Sequence, residues 1–239
     1  MKHIAHPQSH NLDEIQQLGE STVQLFNRLG TTLEESESYT LALEQETNKL
    51  EKETNFDLLT GLPNRKHFKN SLEMALQICE LHGMAAAVFF IDLDGFKQVN
   101  DKYGHSAGDL LLTQAGRRLQ SSFRSVDTIC RIGGDEFGAV ITYDNDLALI
   151  KQIAERTVLD LRNDFSIHNQ RVHIGCSIGI SLYPKDTKSP NELINMADAA
   201  MYKAKTSGKG HYQFFQPGFE PHVRELILEP SDSDTIAQN

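Results

Sequence analysis

Two acidic segments of this 239-residue chain fall where strands end, and their residue types suit a metal ion held against phosphate. The first is Phe89-Phe90-Ile91-Asp92-Leu93-Asp94-Gly95-Phe96-Lys97, and the second is Arg131-Ile132-Gly133-Gly134-Asp135-Glu136-Phe137. Val88–Ile91 is a continuous apolar run, the pattern of a strand buried on both faces. Thr128–Ile132 and Phe137–Thr142 read as two strands, and Gly-Gly between them is a hairpin signal. A hairpin tip carrying Asp135 and Glu136 then lies beside the Asp92 end of a neighbouring strand. Three carboxylates brought together repel one another unless a cation neutralises them. Hard oxygen ligands in small number suit Mg²⁺, which keeps positions open for phosphate oxygens. For the second segment alone, an acidic surface turn is the competing reading.

The elements that must position these residues follow from periodicity and breakers. Pro63 suits the first turn of a helix running to about Leu81. After the Asp92 strand come a short helix over Phe96–Tyr103 and a longer one from about Ala107 to Phe123, with Leu110, Leu111, Ala115 and Leu119 as its apolar stripe. Beyond the hairpin lie a helix near Leu147–Asn163 and a strand pair from about His168 to Tyr183. Pro190 then opens a last helix that Gly208 and Gly210 terminate. This order predicts an α/β (α+β) domain, a ferredoxin-like palm with a mainly antiparallel sheet and helices on one side. The domain spans 55–216; a disordered, polar N-terminus (1–11) and a helical segment (12–54) precede it, and a disordered tail (217–239) follows. Residues 12–54 place Ile15, Leu18, Leu25, Leu29, Tyr39, Leu43 and Leu50 along a heptad seam. That seam predicts a long helix and favours a parallel coiled-coil stalk over a helix folded back on the domain.

A net charge of −10 argues against a nucleic-acid or anionic membrane surface. No run reaches the length of a membrane span, and Met1–His10 lacks the apolar centre of a signal peptide, so a cytoplasmic location is expected. Cys79, Cys130 and Cys176 are widely spaced and read as buried reduced thiols, not a disulfide or zinc site. His3, His6 and His10 read as part of a polar terminus.

The two acidic segments belong to a longer series in fixed order. Asp57-Leu58-Leu59-Thr60-Gly61-Leu62-Pro63-Asn64-Arg65 precedes them, and Gly104-His105-Ser106-Ala107-Gly108-Asp109 lies between them. Ala197-Asp198-Ala199-Ala200-Met201-Tyr202-Lys203-Ala204-Lys205 follows. Together the motifs resemble the GGDEF family of diguanylate cyclases, from about Asp57 to Phe215. The resemblance implies a nucleotidyl-cyclase-like fold and a homodimer holding one GTP per subunit. It implies Mg²⁺, with Mn²⁺ as a substitute, and cyclic di-GMP with two pyrophosphates as products. By motif match, Asp92, Asp135 and the main-chain carbonyl of Leu93 are the metal ligands. Asp135 or Glu136 accepts the proton of the attacking 3′-hydroxyl, and Lys97 meets phosphate. Asn100, His105 and Asp109 match nucleoside-binding positions, and an amide with a carboxylate suits the guanine edge. For Asp109 a helix N-terminal acid is the plain alternative. Asp94 has no metal role in the family pattern and reads as structural. Lys205 and Lys209 match the triphosphate-binding Lys and Arg, the second losing the bidentate fork of arginine. Ser207-Gly208-Lys209-Gly210 lacks the upstream glycine of a Walker loop. Arg124 and Asp127 match an Arg-x-x-Asp site at which product inhibits, with a surface ion pair as the alternative. The intact signature argues for an active enzyme over a silent GTP or cyclic di-GMP receptor, or a purely structural dimerisation module.

Overall fold

The computed structural model describes residues 17–25, 27–33, 36, 38–40 and 54–220. The chain divides into two compact units, residues 1–53 and 54–239. In the first, the described residues are helical, and Leu18, Leu25, Leu29 and Tyr39 of the heptad seam are exposed, as are Val23 and Leu33. Ile15, Leu43, Leu50 and the three N-terminal histidines lie outside the described residues, as does the tail beyond residue 220.

In the second unit the elements run α1 (Arg65–His82), β1 (Ala85–Asp94), α2 (Phe96–Tyr103), α3 (His105–Ser122), β2 (Thr128–Gly133), β3 (Glu136–Tyr143) and α4 (Leu147–Arg162). Then come β4 (Phe165–Ile167), β5 (Gln170–Val172), β6 (Gly175–Tyr183), α5 (Pro190–Thr206) and β7 (Tyr212–Phe214). The main sheet has the order β2-β3-β1-β6-β7, antiparallel except for the parallel β6–β7 pair. The sheet is mainly antiparallel, as expected; the added parallel strand β7 is only three residues long, too short to carry a pattern.

Alternating residues of β1 feed two cores. Ala87, Phe89 and Ile91 join Leu111, Ala115 and Leu119 of α3 and Ile150, Ile153 and Leu161 of α4. Ala86, Val88 and Phe90 join Phe68, Leu72 and Leu76 of α1 and Leu193, Ala197 and Met201 of α5. Helices thus cover both faces of the sheet, not one, and this is why the apolar run of β1 is unbroken.

Other boundaries also shift. Pro63 lies before helix α1 in an isolated bridge to Phe56, and Asn64 is the N-cap, its side chain accepting from the His67 amide. Leu111, Ala115 and Leu119 of α3 face inward as expected, but Leu110 is 42% exposed and Leu112 takes its place in the stripe. The strand pair expected over 168–183 does not exist: β5 pairs with β4 in a separate hairpin, and β6 joins the main sheet. Cys79, Cys130 and Cys176 are buried and free. Among the described residues no helix is long and apolar enough to cross a membrane.

Candidate active site

Strand β1 delivers Asp92 to the sheet's end between two neighbours, opposite Glu136 of β3 and Ser177 of β6. The hairpin pairs Gly133 with Glu136 after a bulge beyond Arg131, which leaves Gly134 and Asp135 as its tip. The Leu93 amide donates to the Asp135 carbonyl at 3.2 Å, fixing the tip against β1. Asp92 is 2% exposed, and the Lys205 ammonium from α5 reaches its Oδ2 at 2.5 Å. Burial pushes the Asp92 carboxyl up to about 6; the Lys205 hydrogen bond and charge oppose this, and the charges of Asp135 and Asp94 add to it. The structure therefore brings Asp92, Asp135 and Lys205 into one electrostatic unit, with Glu136 cross-strand from Asp92.

Lys205 arrives there because α5 lies directly on β6. A Cβ at Gly179 would stand 1.9 Å from the Ala197 carbonyl oxygen and 2.1 Å from the Met201 nitrogen, so only glycine admits the helix backbone. Lys205 follows Met201 by one helical turn.

The donors at this end fit a hard divalent cation. Asp92 and Asp135 are carboxylates on adjoining segments, Leu93 adds a main-chain carbonyl, and burial with the nearby charges of Asp135 and Asp94 keeps the Asp92 carboxyl raised despite Lys205. Among the described residues no group of three His, Cys, Asp or Glu side chains forms a metal cluster. The set is two carboxylates and a carbonyl, which leaves room for phosphate oxygens.

Asp94 is engaged elsewhere. Its carboxylate accepts from the Ser177 hydroxyl at 2.9 Å and from the Gly210 amide at 2.9 Å. Lys97 is exposed in the first turn of α2. His105 is the first residue of α3 and exposed; Asp109 is exposed on the same helix, beyond its first turn. Asn100 is half-buried against α3, where its Oδ1 is buried without a hydrogen-bond partner and would meet a Cβ at Gly108 at 1.9 Å. An unsatisfied buried acceptor of this kind is what an N–H-bearing ligand edge would complete. Lys209 is exposed in the turn after α5. Arg124 and Asp127 precede β2. The Asp127 side chain, 1% exposed, accepts from the Arg124 amide at 2.9 Å and from its Nη2 at 2.8 Å, while the Arg124 side chain remains 41% exposed. Nη2 also donates to the Thr142 carbonyl.

Sequence reasoning missed one brace. The Arg131 guanidinium donates through Nε and Nη2 to the Gly134 carbonyl at 3.0 and 2.8 Å, and through Nη1 to both Asp57 oxygens at 3.0 Å. Asp57 also accepts from the Thr60 amide and hydroxyl. Burial alone would raise the Asp57 carboxyl, but the Thr60 bonds and then Arg131 outweigh it and hold its pKa below the ordinary value. The signal was present as opposite charges in two of the quoted motifs, Asp57 opening one and Arg131 opening another.

Comparison with known proteins bears on this arrangement. Residues 54–211 match the family described as diguanylate cyclase, GGDEF domain. The bifunctional diguanylate cyclase/cyclic di-GMP phosphodiesterase MucR of Pseudomonas aeruginosa is 43% identical over 171 residues, 72% of this chain and 25% of that protein. Diguanylate cyclase TpbB of the same organism is 36% identical over 82% of this chain and 44% of its own length. The chain thus spans less than half the length of either relative. A solved GGDEF-domain structure of TpbB superposes with a TM-score of 0.66 at 35% identity, covering 67% of this chain and 94% of that one. The coiled coil and GGDEF domain of DgcB from Caulobacter crescentus, in complex with cyclic di-GMP, shares the fold with a TM-score of 0.71 at 23% identity, covering 78% and 98%. With the signature turn, the strand order and the family match in agreement, the chain belongs to the GGDEF-domain family of diguanylate cyclases.

Proposed function

We propose that the chain condenses two GTP into cyclic di-GMP and two pyrophosphates, with Mg²⁺ as cofactor, Mn²⁺ as substitute and a homodimer as the working unit. The observation that carries this reading is the buried Asp92, pushed up to about 6 beside Asp135 despite Lys205 at 2.5 Å. Two carboxylates side by side, one of them buried, favour a divalent ion together with the phosphates it brings. The ion, held by Asp92, Asp135 and the Leu93 carbonyl, would neutralise phosphate charge and help ionise the attacking hydroxyl. Lys205 and Lys209 meet the triphosphate, and Lys97 meets charge developing on the reacting phosphate. Asn100 and Asp109 hold the guanine edge, and His105 lies at the start of the same helix. Asp135 or Glu136 takes the proton from the 3′-hydroxyl. One subunit supplies one nucleotide, so the reaction needs two subunits face to face, and the seam in residues 12–54 raises their effective concentration. Arg124 and Asp127 bind product: the exposed guanidinium grips phosphate or a guanine edge while Asp127 orients it.

Purified protein incubated with GTP and Mg²⁺, with Mn²⁺, and with chelator should yield cyclic di-GMP in the first two cases only, resolved chromatographically. GTP bound without turnover under both metals would overturn the cyclase reading in favour of a silent receptor.

A further inference from the structure

Lys209 stands with φ +60°, a left-handed backbone that L side chains seldom adopt and that glycine would enter without cost. A lysine there needs its turn held from outside. The structure supplies four holds. The Lys209 amide donates to the Ala204 carbonyl at 3.1 Å, and the His211 ring lies between the Lys209 carbonyl and the Ser207 hydroxyl, 3.0 and 3.2 Å away. The other two close on the next residue from opposite sides. The Gly210 amide donates to the Asp94 carboxylate at 2.9 Å, and the Gly210 carbonyl accepts from Arg162 Nη2 at 2.9 Å.

We infer that Asp94 and Arg162 form a clasp on Gly210 that positions Lys209 for the nucleotide's phosphates. Asp94 lies at the end of β1, two residues beyond Asp92, and Ser177 fixes its carboxylate from β6. Arg162 is the last residue of α4 and is exposed. The clasp thus ties the turn after α5 to the strand that carries the metal-site carboxylate. Both are positioning residues acting through Lys209, with no contact to substrate of their own. The inference deepens the cyclase reading and rests on its assignment of Lys209.

The test uses the full chain with Mg²⁺ and two unreactive nucleotides, 3′-deoxy-GTP and 3′-deoxy-GMP, titrated calorimetrically. Wild-type protein should prefer the triphosphate. Arg162→Ala and Asp94→Ala should each weaken 3′-deoxy-GTP binding about three- to tenfold and leave 3′-deoxy-GMP within about twofold. Arg162→Lys should recover part of the loss. In a Lys209→Ala background, Arg162→Ala should cost nothing further, because its effect passes through the lysine. Because Arg162 is exposed, its variants keep the test open if Asp94→Ala fails to fold. Full additivity with Lys209→Ala, or equal losses for both nucleotides, overturns the clasp while the cyclase reading stands. Wild-type protein that binds neither nucleotide overturns that reading and the clasp with it.

Discussion

Two carboxylate–cation pairs flank the Gly134–Asp135 turn, and burial works out oppositely in them. Asp57 and Arg131 meet at 3.0 Å, and the Thr60 hydroxyl and amide complete the carboxylate, so its pKa falls. Asp92 and Lys205 meet at 2.5 Å, yet deeper burial and two like-charged neighbours leave Asp92 raised to about 6. Contact with a cation therefore does not decide whether a buried carboxylate is at rest. The sum of donors and neighbouring charges decides it. The first pair is a finished brace, and the second is electrostatically incomplete, its carboxyl still raised with Lys205 in contact.

The largest effect should come from emptying the incomplete pair. Asp92→Asn or Asp135→Asn should lower cyclic di-GMP formation by about 10³-fold or more at saturating Mg²⁺, with the circular-dichroism spectrum retained. Near-normal turnover in either variant would remove the metal assignment. Gly179→Ala attacks the same pair from behind. Its Cβ would overlap the α5 backbone, so a loss of about 3 kcal/mol or more of stability is expected in denaturant titration, with Lys205 displaced. Arg131→Ala should sharpen the contrast by unfastening the turn from the finished side. The expected outcome is a fall in kcat of about ten- to a hundredfold, with guanine-nucleotide affinity nearly unchanged. Equal losses in kcat and affinity would make the brace a general scaffold.

The two carboxylates should also separate by pH. The raised Asp92 favours the protonated folded state, a contribution present below its ordinary value of 3.8 and lost as pH rises through about 6. The depressed Asp57 contributes above its ordinary value and loses that contribution as pH falls below it. Metal-free protein should therefore lose Tm between about pH 4 and pH 7, and Asp92→Asn should flatten that limb. Added Mg²⁺ should restore Tm at pH 8 in the wild type only. Asp57→Asn should flatten the acid limb instead. The smallest effect is expected at Arg124→Ala, which should relieve product inhibition while changing stability by under about 1 kcal/mol. Unchanged product sensitivity would make that pair purely structural.

What the sequence showed and what it hid divide along the range of the interaction. The β1 run, the hairpin after Arg131 and the N-terminal proline of α5 are local patterns, and each appears in the structure, although the hairpin tip is Gly134–Asp135 instead of Gly133–Gly134 and Glu136 begins β3 instead of lying at the tip. The unbroken apolar run of β1 already required helices on both faces, although the order of elements suggested one. Lys205 on Asp92, Arg131 on Asp57 and the parallel pairing of β7 each join segments far apart in sequence, and no periodicity encodes such meetings. The burial of Asp92 was likewise hidden, because two sheet neighbours and a helix end jointly create it.

The Asp92–Lys205 contact also has a meaning in time. Its partners stand 113 positions apart (205 − 92), and the lysine belongs to the last helix of the fold. Closing so long a loop costs entropy before the contact repays it. During synthesis the ribosome releases β1 and the hairpin long before that helix emerges. Until that helix docks, the acidic end of β1 has no Lys205 set against Asp92.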